Sequence, residues 1–358
     1  MLKRLYVHNY KCLVNFEINF DKDISLFLGA NGSGKSTIFE VLDKIIKLVI
    51  DEEKVTKLFN NSNSPRWLKN GEPRDFCFEM DIVINNYFYK YRLVIDLGAY
   101  PSNKAKIKEE SLYCDGDKLR ELTSELFDGS RSCLYASGIA QSYCGGKDMW
   151  LWSYLQTILT FRINPYAMTD VISNTISFLA HIKSDFSNYA DWFAFLNKKH
   201  RKQIATLERN LSNIIKGFDC FRIEQAGRAE ILQVEFNNVI NPYDFSELSE
   251  GQKVLIALYT LIYCTPDNSI LCIDEPENFL ALPEIQPWLN ALRDQCSERN
   301  LQILLISHHP SLINFLAASS GYWFSRQDNH TRIEKIAQQD ESGLSLAQLI
   351  EMGWIYGD

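Results

Sequence analysis

A glycine-rich segment near the start of the chain ends in a lysine and two hydroxyl residues. It reads Gly29-Ala30-Asn31-Gly32-Ser33-Gly34-Lys35-Ser36-Thr37 and satisfies the pattern GxxxxGK followed by Ser or Thr. Glycines let a backbone wrap closely, so that its N–H groups and the N-terminus of the following helix bind phosphate oxygens. In this pattern the lysine reaches the outer phosphates and the first hydroxyl ligates Mg²⁺. We therefore predict a nucleotide site formed by Asn31 to Thr37, with Ser36 on the metal; a flexible turn is the alternative.

Two adjacent carboxylates follow an apolar run in the second half of the chain. The run is Ile270-Leu271-Cys272-Ile273, and Asp274-Glu275-Pro276 comes directly after it. Adjacent side chains at a strand end point in different directions. Asp274 is therefore expected to support the Mg²⁺ shell, while Glu275 polarises the attacking water. For this run alone the alternative is a strand that ends in a solvated turn, but together with the phosphate loop it predicts ATP hydrolysis.

A second anion-binding surface is predicted at Leu248-Ser249-Glu250-Gly251-Gln252, which precedes a helical pattern. The Ser249 hydroxyl and the N–H groups of the first helical turn, at Gly251 and Gln252, are suited to hold an anion. Because the chain already has one phosphate loop, a second surface indicates a second ATP. We predict a homodimer that closes head to tail over two ATP molecules; an ordinary helix cap at Ser249 is the alternative.

Two histidines follow another apolar run, Ile303-Leu304-Leu305-Ile306, in the order Ser307-His308-His309-Pro310. A histidine at the end of a buried strand is suited to sense a γ-phosphate by hydrogen bonding, because its pKa lies near neutrality. His308 is the predicted sensor and His309 is the alternative. Without the other three motifs, a turn residue would be the simpler interpretation.

The elements that position these residues are predicted from hydrophobic spacing. Seven strands are predicted in the first third of the chain: 2–7, 16–20, 24–28, 76–84, 87–97, 107–114 and 118–122. The last four form two hairpins, which indicates an antiparallel subsheet. Apolar residues recur at helical spacing from Lys35, so a strand, a glycine-rich turn and a helix follow in direct succession. That succession is the context a phosphate loop needs.

The pattern changes twice in the rest of the chain. Spacing between residues 147 and 216 is helical, whereas 218–224 and 230–236 are predicted strands. From Ile270 apolar strands alternate with helices, as in parallel α/β structure. The predicted fold class is α/β, with an N-terminal antiparallel subsheet and a helical insertion. We divide this one folding unit into an N-terminal lobe, a helical subdomain and a C-terminal lobe, at 1–145, 146–217 and 218–358.

The composition is that of a folded protein, with 46% hydrophobic and 23% charged residues. No stretch reaches about 18 apolar residues and the first ten lack a continuous apolar core, so we expect a cytoplasmic protein without membrane contact. The nine cysteines include no CxxC spacing, which argues against a disulfide framework or a zinc site. A net charge of −8 argues against a chain that coats nucleic acid over its whole surface.

The combination of motifs resembles the ABC-type ATPase heads of the RecF, SMC and OLD group. It rests on the phosphate loop, the LSEGQ signature at Ser249, the DEPEN segment from Asp274 and the SHHP segment at His308. The resemblance implies ATP and Mg²⁺ as cofactors, and a homodimer that closes on ATP and opens on hydrolysis. It also places Lys11 beside the nucleotide. It implies a glutamine on the metal, in what is called the Q-loop, for which Gln141 and Gln156 are the candidates.

The chain departs from this group at several points. Ala281 replaces the histidine that commonly follows DEPEN, so communication across the dimer is expected to differ. No sustained heptads lie between Thr37 and Leu248, which excludes a long-armed SMC tether. Only 50 residues follow His308, too few for the Toprim nuclease domain of OLD proteins. The effector is therefore expected to be a separate protein.

Taken together, the resemblance predicts an ATP-dependent switch that acts on DNA or controls a separately encoded nuclease or toxin, in bacterial DNA repair or anti-phage defence. The ATPase subunit of a transporter is the alternative. It is disfavoured because the first hairpin, from Leu5 to Phe20, and the DEPEN segment resemble the RecF side of the group. The best local candidate for nucleic-acid contact is a basic run with two cations further along: Lys198-Lys199-His200-Arg201-Lys202, Arg209 and Lys216. A solvated helix face is the alternative interpretation of this run.

Overall fold

The computed structural model describes residues 1–66, 75–98, 104–123, 128–134, 146–173, 182–227, 229–336 and 344–353. The chain folds around a six-stranded sheet in the order β16-β15-β3-β14-β13-β8. Its strands are β3 Ile24–Gly29, β8 Ile158–Phe161, β13 Ile270–Asp274, β14 Gln302–Ile306, β15 Gly321–Gln327 and β16 His330–Lys335. All pairs are parallel except β15 with β16. The ends of β3, β13 and β14, which carry the predicted motifs, therefore meet at one edge.

The first half of the chain adds an antiparallel sheet in the order β2-β1-β4-β5-β6-β7. Its strands are β1 Leu2–His8, β2 Phe16–Asn19, β4 Phe76–Ile84, β5 Tyr87–Asp96, β6 Lys106–Cys114 and β7 Asp117–Thr123. Each predicted strand is confirmed to within one residue at either end. Asn85 and Asn86 turn the hairpin between β4 and β5 with φ angles of 49° and 67°, the left-handed conformation that asparagine tolerates.

A third, small sheet contains β9 Val171–Ile172, β10 Phe218–Ala226, β11 Ala229–Phe236 and β12 Tyr243–Asp244. In it β11 pairs with each of the other three strands. The α-helices are α1 Lys35–Val49, α2 Val55–Leu58, α3 Lys147–Leu155, α4 Tyr189–Lys199, α5 Arg201–Ile214, α6 Glu250–Cys264, α7 Leu282–Arg299, α8 Pro310–Leu312, α9 Ala318–Ser320 and α10 Leu346–Glu351. Short 3₁₀ turns occur at Asn61–Asn63 and Phe245–Glu247, and a π turn at Ile313–Ala317.

Two hydrophobic cores lie on opposite faces of the central sheet. Alternate side chains of a strand point to opposite faces of a sheet, so the side chains of β3 are divided between the two cores. Leu26 and Leu28 belong to the core that contains α4, α5, α6 and α7, whereas Phe27 belongs to the core that contains α1 and the antiparallel sheet. Both faces are covered, so the parallel strands are apolar throughout, as predicted.

The prediction of continuous helical structure from 147 to 216 is right for α3, α4 and α5 but wrong for β8 and β9. β8 is a four-residue apolar strand, and a run this short carries too few residues for its period to distinguish strand from helix. It pairs in parallel with β13, so this part of the supposed insertion belongs to the central sheet. None of the helices in the described ranges is both long and apolar enough to cross a membrane.

Candidate functional site

The phosphate loop joins β3 to α1, and two of its glycines are required by its geometry. Gly29 has a φ of 135°, and a Cβ placed there would lie 2.1 Å from the Phe324 carbonyl oxygen. Gly34 has a φ of 107°, and its Cβ would lie 2.4 Å from Thr331 Oγ1. Any other residue would meet steric overlap in addition to an unfavourable backbone conformation. The loop is thus held against the β15–β16 hairpin.

Lys35 begins α1 and lies over its own loop. Its Nζ donates to the carbonyl oxygens of Gly29 at 2.6 Å and Ala30 at 3.0 Å. Burial lowers the pKa of Lys35, while the carboxylates of Asp274 and Glu275 act in the opposite direction. The ammonium is therefore fixed at the end of the central sheet, where its charge faces two acids.

A cavity of about 270 Å³ opens at this point. Its lining comes from the phosphate loop with the start of α1 and from the ends of β8, β13 and β14. The lining residues are Asn31, Gly32, Gly34, Lys35, Ser36, Thr37, Arg162, Asp274, Glu275, Ile306 and His308. Ser33 and the loop residues Asn31 and Gly32 also line a neighbouring cavity of about 860 Å³, together with Glu275 and His308. The structure thus brings the predicted phosphate loop, both acids and His308 to one place.

The donor set in the smaller cavity fits Mg²⁺. Ser36 Oγ donates to Asp274 Oδ2 at 3.2 Å, so a hydroxyl oxygen and a carboxylate oxygen lie next to each other in the cavity. Burial raises the pKa of Asp274, the neighbouring Glu275 charge adds to this, and the Ser36 hydrogen bond opposes it. A divalent cation would relieve the cost of that buried charge, and Mg²⁺ prefers oxygen ligands. Ser36 and Asp274 are the residues that would hold it.

Glu275 adopts a left-handed backbone, with a φ of 52°. Its N–H donates to the Ile306 carbonyl oxygen at 2.8 Å, and Asn278 Nδ2 donates to its Oε2, also at 2.8 Å. Such a conformation is costly for a residue other than glycine and persists only when its surroundings hold it. The contacts of its N–H and of its carboxylate thus hold the predicted base in a defined conformation.

His308 and His309 have different environments. Burial, and then the nearby Lys35 charge, lower the pKa of His308 from its ordinary value, which favours the neutral imidazole. His309 caps α8, with Nδ1 accepting from Ser311 N at 3.1 Å. His308 lines the phosphate cavity and His309 does not. The geometry favours the first of the two candidates.

The signature residues occupy a different surface. Ser249 is the N-cap of α6: Gln252 N donates to Ser249 Oγ at 3.3 Å, and Ser249 N donates to Gln252 Oε1 at 3.1 Å. Gly251 lies against the segment after Asn278, since a Cβ there would be 2.8 Å from the Phe279 carbonyl oxygen. None of Ser249, Gly251 and Gln252 lines the cavity that contains Lys35.

Three further residues of the site escaped the sequence reasoning: Arg162, Glu277 and Asn278. Arg162 follows β8, the strand hidden in a helical pattern, and lines the phosphate cavity. Glu277 accepts hydrogen bonds from Ser307 Oγ and His308 N. The repeated acids and amide of DEPEN are the only sequence signal for Glu277 and Asn278.

The remaining predicted residues lie elsewhere. Gln141 is outside the described residues. Gln156 stands before β8, at the opposite end of the strand from Arg162, and lines two other cavities. Lys11 Nζ donates to Glu40 Oε2 at 2.5 Å and does not line the phosphate cavity, although its neighbour Cys12 lies 3.9 Å from Thr37 Oγ1.

Comparisons with known proteins agree with this geometry. Residues 1–225 match the family described as AAA ATPase domain, and residues 159–314 match one described as AAA domain, putative AbiEii toxin, Type IV TA system. The chain is similar to the SMC head domain from Thermotoga maritima, with a TM-score of 0.52 and 15% identity over 94% of this chain and 99% of that one. It is also similar to the SmcHead bound to the C-winged helix domain of ScpA, with a TM-score of 0.51 and 16% identity over 98% and 99%. These likenesses confirm the predicted fold, an α/β ATPase head of the SMC type. No match to a curated protein was found.

Proposed function

The chain belongs to the AAA ATPase domain family, and from that premise we propose that it is a switch in which two copies close over ATP and separate after hydrolysis. One observation carries the proposal: the two predicted anion-binding surfaces lie apart on the same chain. Lys35 and Glu275 line the phosphate cavity, whereas Ser249 is exposed at the N-cap of α6 and lines no part of it. A second copy would bring its own Ser249 to the open side of the cavity.

The residues of the cavity divide the chemistry among them. Lys35 binds phosphate oxygens, Ser36 and Asp274 would hold Mg²⁺, and Glu275 takes a proton from the attacking water. Bound Mg²⁺ supplies charge stabilisation at the phosphates. His308 is suited to donate a hydrogen bond to the γ-phosphate, and its lowered pKa favours the neutral imidazole, which adds no charge.

Three variants test the switch. Lys35→Ala should abolish ATP binding. Glu275→Gln should bind ATP but lose a factor on the order of 10² to 10⁴ in turnover, and should accumulate as a dimer in sizing experiments with ATP. Ser249→Arg in the Glu275→Gln background should bind ATP as a monomer. A dimer that persists with Arg at 249 would contradict the sandwich, and wild-type turnover in Glu275→Gln would contradict the assignment of the base.

We further propose that the closed switch acts on DNA, through a basic cluster at the junction of α4 and α5. The cluster consists of Lys198, Lys199, Arg201 and Lys202, all exposed and, within the described part of the chain, without a carboxylate partner. Lys198 and Lys199 end α4, and Arg201 and Lys202 begin α5, whose buried side contains Ile204, Leu207 and Leu211. Unpaired cations on one surface are suited to displace counterions from phosphates.

Charge reversal tests the basic cluster. Changing its four residues to Glu should weaken binding to duplex DNA and reduce the dependence of affinity on salt. A matched control changes four exposed lysines elsewhere to Glu, for the same change in net charge: Lys22, Lys90, Lys104 and Lys106. Equal loss in both variants would indicate a nonspecific effect of net charge, and no loss in the cluster variant would exclude this surface.

The output of the switch is proposed to belong to a separate effector protein, a nuclease or toxin used in DNA repair or anti-phage defence. Two comparisons support this: one matching family is described as a putative AbiEii toxin, and one similar SMC head was solved with a winged-helix domain bound. Co-expression with the products of adjacent genes tests it. An ATP-dependent complex in wild type that is lost in Lys35→Ala is the expected result, and purification of the ATPase alone from every pair would contradict the proposal.

A further inference from the structure

An arginine enters the phosphate cavity from the end of β8. β8 is parallel to β13 with Phe161 opposite Ile273, so Arg162, the first residue after β8, follows beside Asp274, the last residue of β13. Both line the cavity that contains Lys35 and Glu275. The strand pairing and the cavity lining therefore both place Arg162 beside Asp274.

The segment that carries Arg162 is fixed, although its side chain is exposed. Arg162 N donates to the Ser184 carbonyl oxygen at 2.9 Å, and Asn164 N donates to that of Asp185 at 3.2 Å. Within the described ranges the guanidinium has no hydrogen-bond or ion-pair partner, even with Asp274 and Glu275 in the same cavity. Its charge nonetheless partly opposes the rise that burial causes in the pKa of Asp274. An unpaired arginine on an anchored backbone is available to a ligand.

We propose that Arg162 contacts the γ-phosphate of ATP and stabilises the charge that develops on it during hydrolysis, an assignment that rests on the proposed function. In this step water attacks the γ-phosphorus and gives a proton to Glu275. The bond from phosphorus to the β–γ bridging oxygen breaks, and its electron pair leaves with ADP. The planar guanidinium presents several N–H donors to the equatorial phosphoryl oxygens, where the charge is spread.

This role differs from that of a Q-loop glutamine. A glutamine offers a neutral carbonyl oxygen to the metal, whereas Arg162 has only donors and a positive charge. The arginine therefore suits the phosphoryl group rather than the metal. Its positive charge should weaken the binding of Mg²⁺ at Asp274. Replacing it with glutamine should strengthen Mg²⁺ binding while weakening stabilisation of the transition state.

The test compares Arg162→Ala, Arg162→Lys and Arg162→Gln with Arg222→Ala. Arg222 is an exposed arginine of β10, which pairs with Glu224. We measure turnover, the affinity for ADP, the affinity for ADP with Mg²⁺ and aluminium fluoride, and the affinity for Mn²⁺ as a probe of the metal site. The aluminium fluoride complex stands in for the phosphoryl group in transfer.

Arg162→Ala should lose about 10³-fold in turnover, the lower end of what such arginines contribute. It should lose a similar factor in affinity for the aluminium fluoride complex, with ADP affinity changed less than about threefold. Arg162→Lys should retain more of both than Arg162→Ala, Arg162→Gln should bind Mn²⁺ more tightly, and Arg222→Ala should match wild type. Unchanged aluminium fluoride affinity, or an equal loss for ADP, would overturn the assignment. Absence of hydrolysis in wild type would instead refute the proposed function.

Discussion

Glu277 Oε1 accepts a hydrogen bond of 2.6 Å from the Ser307 hydroxyl, which joins the segment after β13 to the residue before His308. The same oxygen accepts from His308 N at 3.2 Å. Its other carboxylate oxygen, Oε2, is buried without a partner in the described structure. Glu277 therefore links the DEPEN segment to the SHHP segment. One of its carboxylate oxygens is buried without a hydrogen bond within the described ranges, so its negative charge is poorly stabilised.

The pH dependence of stability should reveal this acid. Burial raises the pKa of Glu277, and the hydrogen bonds from Ser307 and His308 only partly oppose it. Because the folded-state pKa is the higher, the native protein binds the proton more tightly, and stability falls as pH rises from about 4.5, the unfolded value, through the folded value. The Glu277→Gln variant lacks this term. Its free energy of unfolding relative to wild type should therefore increase over that window and be constant above it, as measured in urea from pH 4.5 to 8.

A difference between the two proteins that does not change with pH would contradict this prediction. The Ser307→Ala variant serves as the control for the hydrogen bond itself, since it removes the donor and keeps the acid. A double-mutant cycle with Glu277→Ala should show coupling of about 1.5 to 3 kcal/mol, the usual range for a hydrogen bond to a charged group.

The contiguous motifs were predictable from the sequence because their chemistry and their spacing lie in one stretch of chain. Gly29 to Thr37 form strand, loop and helix in succession, and the structure places them as that pattern requires. The paired acids were predictable for the same reason, because Asp274 ends an apolar strand. Parallel pairing of β3, β14 and β13 then assembles the site with no further information.

The contacts that were missed depend on tertiary structure. Arg162 follows a strand of only four residues, whose neighbour β13 lies more than a hundred residues later in the chain, so no local pattern indicates it. The contact of Glu277 with Ser307 spans 30 residues. Lys11 pairs with Glu40 across the first hairpin and α1, a choice of partner that spacing does not determine.

The amide of Asn278 should contribute to catalysis by positioning Glu275. Its Nδ2 donates to Glu275 Oε2 at 2.8 Å, and Glu275 is held in a left-handed conformation. We expect Asn278→Ala to lower kcat about tenfold with little change in KM for ATP, because the base loses its orientation but the phosphates keep their contacts. Steady-state kinetics measure this.

The companion variant Asn278→Asp places a second acid beside the base. An aspartate cannot donate a hydrogen bond to Glu275 Oε2 and its charge repels that carboxylate, so Asn278→Asp should lower kcat at least as much as Asn278→Ala. Asn213→Ala, at an exposed asparagine near the end of α5, is the control and should match wild type. If Asn278→Ala keeps the full kcat, the hydrogen bond has no part in hydrolysis.

Gly34 of the phosphate loop should resist replacement because of both its backbone conformation and the side chains that a Cβ would meet. Its φ is 107°, and a Cβ would lie 2.4 Å from Thr331 Oγ1 and 3.0 Å from Cys12 Sγ. Gly116, in the hairpin between β6 and β7, has a φ of 90° but nothing within 4 Å of a Cβ, so Gly116→Ala measures the backbone cost alone. We expect a loss of about 1 to 2 kcal/mol in the free energy of unfolding for Gly116→Ala and a larger loss for Gly34→Ala, measured by urea unfolding.

The Gly34 substitution should also affect ATP binding. Thr331 Oγ1 donates to the Ser33 carbonyl oxygen at 2.8 Å, so its displacement by the new Cβ should disturb the loop. Gly34→Ala should therefore lose ATP affinity, while Gly116→Ala keeps it. Equal destabilisation of the two variants, with ATP affinity unchanged, would show that Thr331 and Cys12 yield to the new Cβ without cost.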